Sequence, residues 1–364
     1  MRCLLLLISA LLLIQSSLAE NKVSCKDEHG VDVDWWYIYK LPKHYANVNA
    51  KPGQDVTGQR YLYVTSASYD QWTLSGRRMG DSNSMVASTL NPLYTDEQHV
   101  LLAAYNDEFP NGTVSSTGGH AKGVVATDGV TGVWLVHSVP KFPTVPQYSY
   151  PTSGEQYGQS LLCMTLDVAG VEKVGELLVY NEPHFYYERN PLLKASELFP
   201  SLQRALKRQW RTESPYQKEI EVHTLDGKQF RMFGKSPRAN IELYQDMVAP
   251  ALNVNLFVEA WRDGAGNLPD SCDKSTKVFN VQDIANPEYL VDFKTTADHS
   301  KWAVSEETGI KLHRWRIGGG DWICIGDINR QQSQQHRGGG TVCHKSSRVS
   351  DLYRKLVANF EKCA

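Results

Sequence analysis

Two copies of one short phrase, Gly-His120-Ala-Lys122-Gly and Asp-His299-Ser-Lys301-Trp, carry the chemistry most open to this chain. Each sets an imidazole two residues before an ammonium, and the copies begin 179 residues apart, about half of the chain. On a β-strand the period of two points both side chains from one face. One imidazole can attack phosphorus to form a phosphohistidine, which divides a difficult displacement into two. The other can protonate the leaving oxygen and then take a proton from water. The lysines would stabilise charge on the equatorial phosphoryl oxygens, as metal ions do elsewhere. They also disfavour zinc, because a protonated amine is a poor ligand and repels a cation. The scheme therefore calls for no metal and no cofactor. Like charges depress histidine pKa values, so a general-acid histidine here predicts an acidic optimum.

The stretch from Trp322 to Cys343 is the next signal. Asp327 and Asn329 share one face if still in a strand; Asn329 would donate to a phosphoryl oxygen and Asp327 would orient a histidine or lysine. Arg337-Gly-Gly-Gly340 reads as a loop, either phosphate-facing or merely solvent-exposed. Cys324 and Cys343 bracket it and are the favoured disulfide pair; closing about 20 residues contributes about 3 kcal/mol by chain entropy. His137, in His137-Ser138-Val-Pro140, reads as the diverged first-half partner of Gly326-Asp327-Ile-Asn329. Trp134 and Trp322 align with one extra residue in the second copy, which supports an internal duplication. Trp302 and Trp322 sit in apolar sequence and suit core packing better than base stacking.

The elements that must hold these residues alternate between strand and helix. Trp35-Trp36-Tyr37 reads as a buried strand edge, and Tyr61 to Val64, Glu176 to Tyr180, Glu219 to His223, Gln229 to Phe233 and Val254 to Trp261 as further strands. The first phrase leads into Val124-Val125-Ala126 and, after a turn, Val133 to Val136, predicting a hairpin. Ser82 to Tyr105 predicts a helix interrupted at Pro92, and Leu193 to Trp210 a helix with a basic end. Ser236-Pro237 announces another helix, and Leu352, Leu356, Val357 and Phe360 lie at helical spacing near the end. Pro140 to Pro151 reads as an extended surface excursion. The alternation favours a layered α/β fold, with mixed α+β as the alternative.

Bulk properties set the compartment. Arg2, the apolar run Leu4 to Ile14 and the small residues before Ala19 read as a signal peptide over 1–19, leaving 345 residues and no membrane anchor after cleavage. Of seven cysteines, Cys3 leaves with the leader; the other six suggest three disulfides out of 15 pairings. Asn111-Gly-Thr113 is a glycosylation sequon on an exposed loop. The formal charge is −2 at neutral pH, unlike a nucleic-acid binder, but protonation of all eleven histidines would bring it to +9. Composition thus permits a polyanionic substrate in an acidic compartment.

Taken together, the His120 and Lys122 phrase, His137-Ser138-Val-Pro140, Asp298-His299-Ser-Lys301-Trp302, Gly326-Asp327-Ile-Asn329-Arg330 and Arg337-Gly-Gly-Gly340-Thr-Val-Cys343 resemble deoxyribonuclease II, a family distantly within the phospholipase D superfamily. Trp35, Leu41-Pro-Lys43 and the terminal cysteine extend the resemblance over essentially the mature chain. It implies two similar lobes, 20–185 and 186–364, each a β-sheet with flanking helices, forming a phospholipase D-like pseudodimer with one site at the interface. It implies a lysosomal enzyme reached through the secretory pathway, with secretion as a second destination. The substrate would be double-stranded DNA, cut without metal to 3′-phosphate and 5′-hydroxyl ends, with no obligate protein partner. His120, Lys122, His299 and Lys301 would be catalytic, supported by Asn329, Asp327 and His137. It also implies the disulfides Cys25 to Cys163, Cys272 to Cys363 and Cys324 to Cys343. The superfamily places Asp four intervening residues after the motif lysine; here Thr127 holds that place in the first half, with Asp128 one step late, and Glu306 holds it in the second, so the usual histidine-orienting Asp is absent from both. The reading leans toward His120 as nucleophile and His299 as general acid, and leaves that assignment open. A phospholipase-type phosphodiesterase and an inactive secreted nucleic-acid-binding protein are the alternatives.

Overall fold

The computed structural model describes residues 22–45, 57–306, 310–312, 315–317 and 320–363, so the leader read over 1–19 lies outside it. Two large sheets dominate. The first runs Phe185–Arg189, Leu101–Tyr105, Gly123–Thr127, Thr131–His137, Gln159–Asp167, Trp35–Lys40, Tyr61–Thr65 and Ser68–Leu74. The second runs Gln217–His223, Gln229–Lys235, Gly339–Lys345, Trp322–Gly326, Trp302–Ser305, Leu256–Glu259, Val278–Asn286 and Val291–Lys294, with Val357–Phe360 added to Val278–Asn286. The ladders within both are antiparallel except that of Leu256–Glu259 with Val278–Asn286. The sheets carry helices, giving a two-lobed layered fold. Strand Phe185–Arg189 still belongs to the first sheet, and the second begins with Gln217–His223.

Side-chain alternation builds three apolar layers. In Trp35–Lys40, Trp35, Tyr37 and Tyr39 enter a core shared with the second sheet, while Trp36 and Ile38 enter a core on the outer side of the first. In Gln229–Lys235, Phe230 and Met232 enter the shared core, while Phe233 faces the outer core of the second sheet. The Trp35-Trp36-Tyr37 cluster is therefore in an interior strand, paired on both sides, rather than an edge.

Helix Val168–Asn181 fills the shared core. Asp167 caps it by accepting from the Gly170 N–H at 2.7 Å, and Glu182 ends it in a left-handed conformation, with φ at 49°. Glu176 to Tyr180, expected as a strand, lies inside this helix: Val171, Val174, Leu177 and Leu178 form one buried helical stripe that overrides the local β-like run. Leu101–Tyr105, expected to continue a helix, is a strand following the short helices Met85–Leu90 and Pro92–Thr95. Leu193 to Trp210 yields two short helices, Ala195–Leu198 and Pro200–Leu206. At the end, helix Ser347–Arg354 is followed by strand Val357–Phe360 rather than by more helix. The Gly123–Thr127 and Thr131–His137 hairpin forms as expected.

All three disulfides implied by the resemblance are present: Cys25 with Cys163, Cys272 with Cys363, and Cys324 with Cys343. Cys324 and Cys343 stand directly opposite on neighbouring strands. Among the described residues, no helix is long and apolar enough to cross a membrane. Asn111 is on an exposed loop, as its sequon requires.

Candidate active site

The two His-x-Lys phrases are extended segments that lead into strands Gly123–Thr127 and Trp302–Ser305 rather than lying within them. Each is docked on the opposite lobe. Gly119 pairs in parallel with Gly338, and Asp298 with Gly158. The His120 N–H donates to the Gly338 carbonyl at 2.8 Å, and the His299 N–H to the Gly158 carbonyl at 2.9 Å. Glycine is needed at both contacts, because a Cβ on Gly338 would collide with the Asn181 carbonyl and one on Gly158 with the Asp298 carboxylate. The docking brings His120, Lys122, His299 and Lys301 close enough to perturb one another electrostatically.

Around His120 the setting is charged. Its Nδ1 lies 2.6 Å from the Asp327 carbonyl oxygen, which fixes the proton on Nδ1 and leaves Nε2 as the free nitrogen. Nε2 is 3.7 Å from Asp107 Oδ2. The Asp107 carboxylate also accepts from the Lys122 ammonium and, at 3.4 Å, from Arg337. Burial pushes the Asp107 carboxyl up, but Lys122, His120 and Arg337 override it and hold it well below the usual carboxylate range. Burial pushes His120 down to about 3; Asp107 opposes that shift, and Lys122 and Lys301 reinforce it.

Around His299 the setting is aromatic. The Tyr157 ring stacks on the imidazole at 4.1 Å between centroids and 4° between planes, and Trp261 meets it edge-on at 4.7 Å. Its Nε2 is buried without a hydrogen-bond partner. Burial, then Lys301 and Lys122, push this imidazole still lower. The Lys301 ammonium donates to the His299 carbonyl at 2.6 Å, and burial with Lys122 lowers it to about 8.

Strand register shows that these settings occupy matching places. Tyr105 is opposite Gly123 and Glu259 is opposite Trp302, each partner following its motif lysine. Asp107 and Trp261, two residues further on, therefore correspond, as do Arg337 and Tyr157, which precede the docking glycines. Val136 and Ile325 also correspond, being opposite Gly123 and Trp302. Trp134 thus matches Ile323, and the expected alignment of Trp134 with Trp322 fails by one residue. The same register matches His137 with Gly326 and Ser138 with Asp327. Ser138 Oγ accepts the Ser160 N–H at 3.0 Å just as Asp327 Oδ1 accepts the Gly340 N–H at 2.7 Å.

The remaining expected residues are distributed unevenly. Asp327 orients His120 through its main chain, while burial pushes its carboxyl up to about 7 against the pull of the Gly340 N–H and Lys122. Asn329 is buried, with Oδ1 unpartnered. His137 packs edge-on against Phe142 and accepts the Val139 N–H through Nδ1 at 3.2 Å. Asp128 bonds its own turn and Glu306 bonds Asn255 at 2.8 Å, so neither orients a histidine. Trp302 is fully buried against Tyr353, and Trp322 lies under Arg231 and Lys345. Gly339 and Gly340, read as loop, open strand Gly339–Lys345; Arg337 instead anchors Gly118 and Gly119 through their carbonyls at 3.0 and 2.9 Å. Among the described residues, Asp270, Cys272 and Cys363 form the cluster with metal-ligand types, and its cysteines are joined as a disulfide.

Comparison with known proteins gives the family of the chain. The sequence model for deoxyribonuclease II matches residues 24–363. The chain is 36% identical to plancitoxin-1 of Acanthaster planci over 348 residues, covering 94% of this chain and 92% of the relative. It is 35% identical to deoxyribonuclease-2 of Caenorhabditis elegans over 371 residues, with 94% of each covered. It is 32% identical to deoxyribonuclease-2-alpha of Mus musculus over 366 residues, with 98% of this chain and 97% of the relative covered. The chain belongs to the deoxyribonuclease II family. Membership supports enzymatic, nuclease activity. Within this deoxyribonuclease II chain, sequence reading missed Asp107, Tyr157 and Trp261. Asn106 and Asp107 follow the apolar run Leu101–Tyr105, and a polar pair after a buried strand is the signal that would have found Asp107.

Proposed function

We propose that this chain is an acid endonuclease that hydrolyses phosphodiester bonds of double-stranded DNA through a phosphohistidine, leaving 3′-phosphate and 5′-hydroxyl ends. The observation that carries the reading is the reciprocal docking of the two phrases, which gathers two imidazoles and two ammonium groups from opposite lobes. The strand orders of the two sheets, which match through their central strands when read in opposite directions, support a phospholipase D-like pseudodimer behind a signal peptide at 1–19, with the first lobe, read as 20–185, extended to take in strand Phe185–Arg189 and the second following it to 364. Delivery through the secretory pathway to the lysosome fits the three disulfides and the mammalian relatives' family.

In the first step His299 Nε2 attacks phosphorus and the bond to the 5′ oxygen breaks. His120, protonated on Nε2, gives that proton to the departing oxygen, releasing the 5′-hydroxyl strand. In the second step His120 Nε2 takes a proton from water as the water oxygen attacks phosphorus. The phosphorus to nitrogen bond then breaks and leaves a 3′-phosphate. Lys122 and Lys301 stabilise the equatorial oxygens, with Asn329 as a further donor. These roles reverse the leaning of the sequence. The Asp107 carboxylate beside His120 Nε2 favours an imidazolium there, whereas burial and the Lys301 and Lys122 ammonium groups act against one on His299, whose ring is covered by Tyr157 and Trp261. Both imidazoles lie low in the free site, and the negative charge of a bound phosphodiester raises them toward the acidic working range. Contacts to phosphate rather than to base edges predict little sequence preference.

Cleavage of plasmid DNA and of a phospholipid, each with EDTA from pH 4 to pH 8, tests the reading, with His120→Ala and His299→Ala alongside. EDTA-resistant DNA cutting, strongest below pH 6 and abolished in both variants, is expected. Metal-dependent cutting, preference for the lipid, or wild-type turnover by either variant would overturn it.

A further inference from the structure

Lys40 and Lys235 are the last residues of strands Trp35–Lys40 and Gln229–Lys235, and both are fully buried. Neither forms an ion pair among the described residues. A buried ammonium without a paired carboxylate is costly, and burial lowers Lys40 to about 7 and Lys235 to about 8. What each ammonium contacts is main-chain oxygen. Lys40 Nζ donates to the carbonyls of Glu155, at 3.0 Å, and Tyr157. Lys235 Nζ donates to those of Gln334 and Gln335, both at 3.0 Å, and Arg337.

The two lysines correspond through the register. Lys40 is opposite Gln159 and Lys235 is opposite Gly339, the residues that follow the docking glycines. The segment each one gathers ends one residue before the carbonyl that anchors the other lobe's histidine. Tyr157, held by Lys40, precedes Gly158, which accepts from His299, and its ring stacks on that imidazole. Arg337, held by Lys235, precedes Gly338, which accepts from His120, and its guanidinium bonds the carboxylate that pairs with Lys122. Gln334 and Gln335 close the short helix Gln332–Gln335 and Glu155 follows the 3-10 turn Thr152–Gly154, so each ammonium gathers carbonyls where a helical turn runs out into the docking segment.

We propose that Lys40 and Lys235 are a matched pair of positioning residues, each an internal cation that shapes the loop of its own lobe and thereby sets the histidine of the other. Neither has a role in contacting substrate, because the N–H groups of both are directed at main-chain carbonyls of their own lobe. The inference rests on the reading that His120 and His299 carry the reaction, so its test has a readout independent of turnover.

The experiment compares Lys40→Met and Lys235→Met with wild type in the full-length protein, by kinetics on plasmid DNA and by NMR of the histidine rings. The assignment of the rings comes from His120→Ala and His299→Ala. For both lysine variants kcat should fall about 10- to 100-fold, the loss that a displacement of about 1 Å brings, with KM changed much less. The ring signals should respond crosswise: Lys40→Met shifts those of His299 and leaves His120 in place, and Lys235→Met does the reverse. If a methionine variant fails to fold, Lys40→Gln and Lys235→Gln, which retain a shorter donor, should show the same crosswise shifts with a smaller kinetic loss. Equal disturbance of both rings by either variant, or unmoved rings with kcat unchanged, would overturn the proposal. If the histidine variants remain active while the crosswise shifts appear, the chemistry fails and the positioning stands.

Discussion

Replacing Asp107 by Asn keeps the shape of the side chain and removes the carboxylate that faces His120 Nε2. At 3.7 Å, two unit charges interact by about 4 kcal/mol at an effective dielectric of about 20, and by about 1 kcal/mol at that of water. One pKa unit corresponds to about 1.4 kcal/mol, so the His120 imidazole should fall by about 1 to 3 units. The sign follows directly, since removing a negative charge destabilises the imidazolium. If His120 is the general acid, activity depends on its protonated form and is lost as pH rises through its pKa. The alkaline limb of the kcat/KM profile on plasmid DNA should therefore move to lower pH in Asp107→Asn, while the acidic limb, set by neutral His299, moves less. Circular dichroism and thermal melting across the same range would separate this from unfolding. An alkaline limb that stays in place, or a shift of the acidic limb alone, would refute the assignment of His120 as the acid.

Two other outcomes follow. Reactions quenched with alkaline detergent, in which a phosphorus to imidazole bond survives, should yield a phosphohistidine on His299, and His120→Ala should prolong its life by removing the base for the second step; an adduct on His120 would restore the opposite assignment. Asp327→Asn bears on stability: burial raises the native carboxyl to about 7, against about 3.9 in an unfolded chain. The native state therefore binds the extra proton between these values, and wild type loses stability as pH rises through that window. The variant lacks this loss, so its melting temperature relative to wild type should climb from pH 4 to pH 7, and a constant difference would contradict a raised carboxyl.

The parts of the site that were legible in sequence are those that local spacing can encode. The doubled His-x-Lys, the Gly123–Thr127 hairpin and the Cys324 with Cys343 pair all depend on residues close together in the chain. Asp107, Tyr157 and Trp261 reach the histidines only through strand pairing and lobe docking, which no single window of sequence contains. Lys40 draws no reading of its own from sequence, and only the sheet reveals that it is fully buried. The run from Glu176 to Tyr180 shows the opposite error, because its β-like residues take a helical period once both sheets enclose them. The Trp134 and Trp322 mismatch has a similar cause: an aromatic residue draws the eye, but the ladder fixes the correspondence one residue away.

The reciprocal anchoring of each phrase on the other lobe gives the two histidines nearly equivalent backbone settings. A phosphodiester has two bridging oxygens, one on either side of phosphorus. In a perfectly twofold arrangement either histidine could attack and either oxygen could leave, so the polarity of the cut strand would be ambiguous. Joining both halves in one chain allows each to mutate separately, and the substitution of Asp107 on one side by Trp261 on the other removes that degeneracy. The direction in which the backbone is broken would then be written not in the histidines, which are alike, but in what stands beside them.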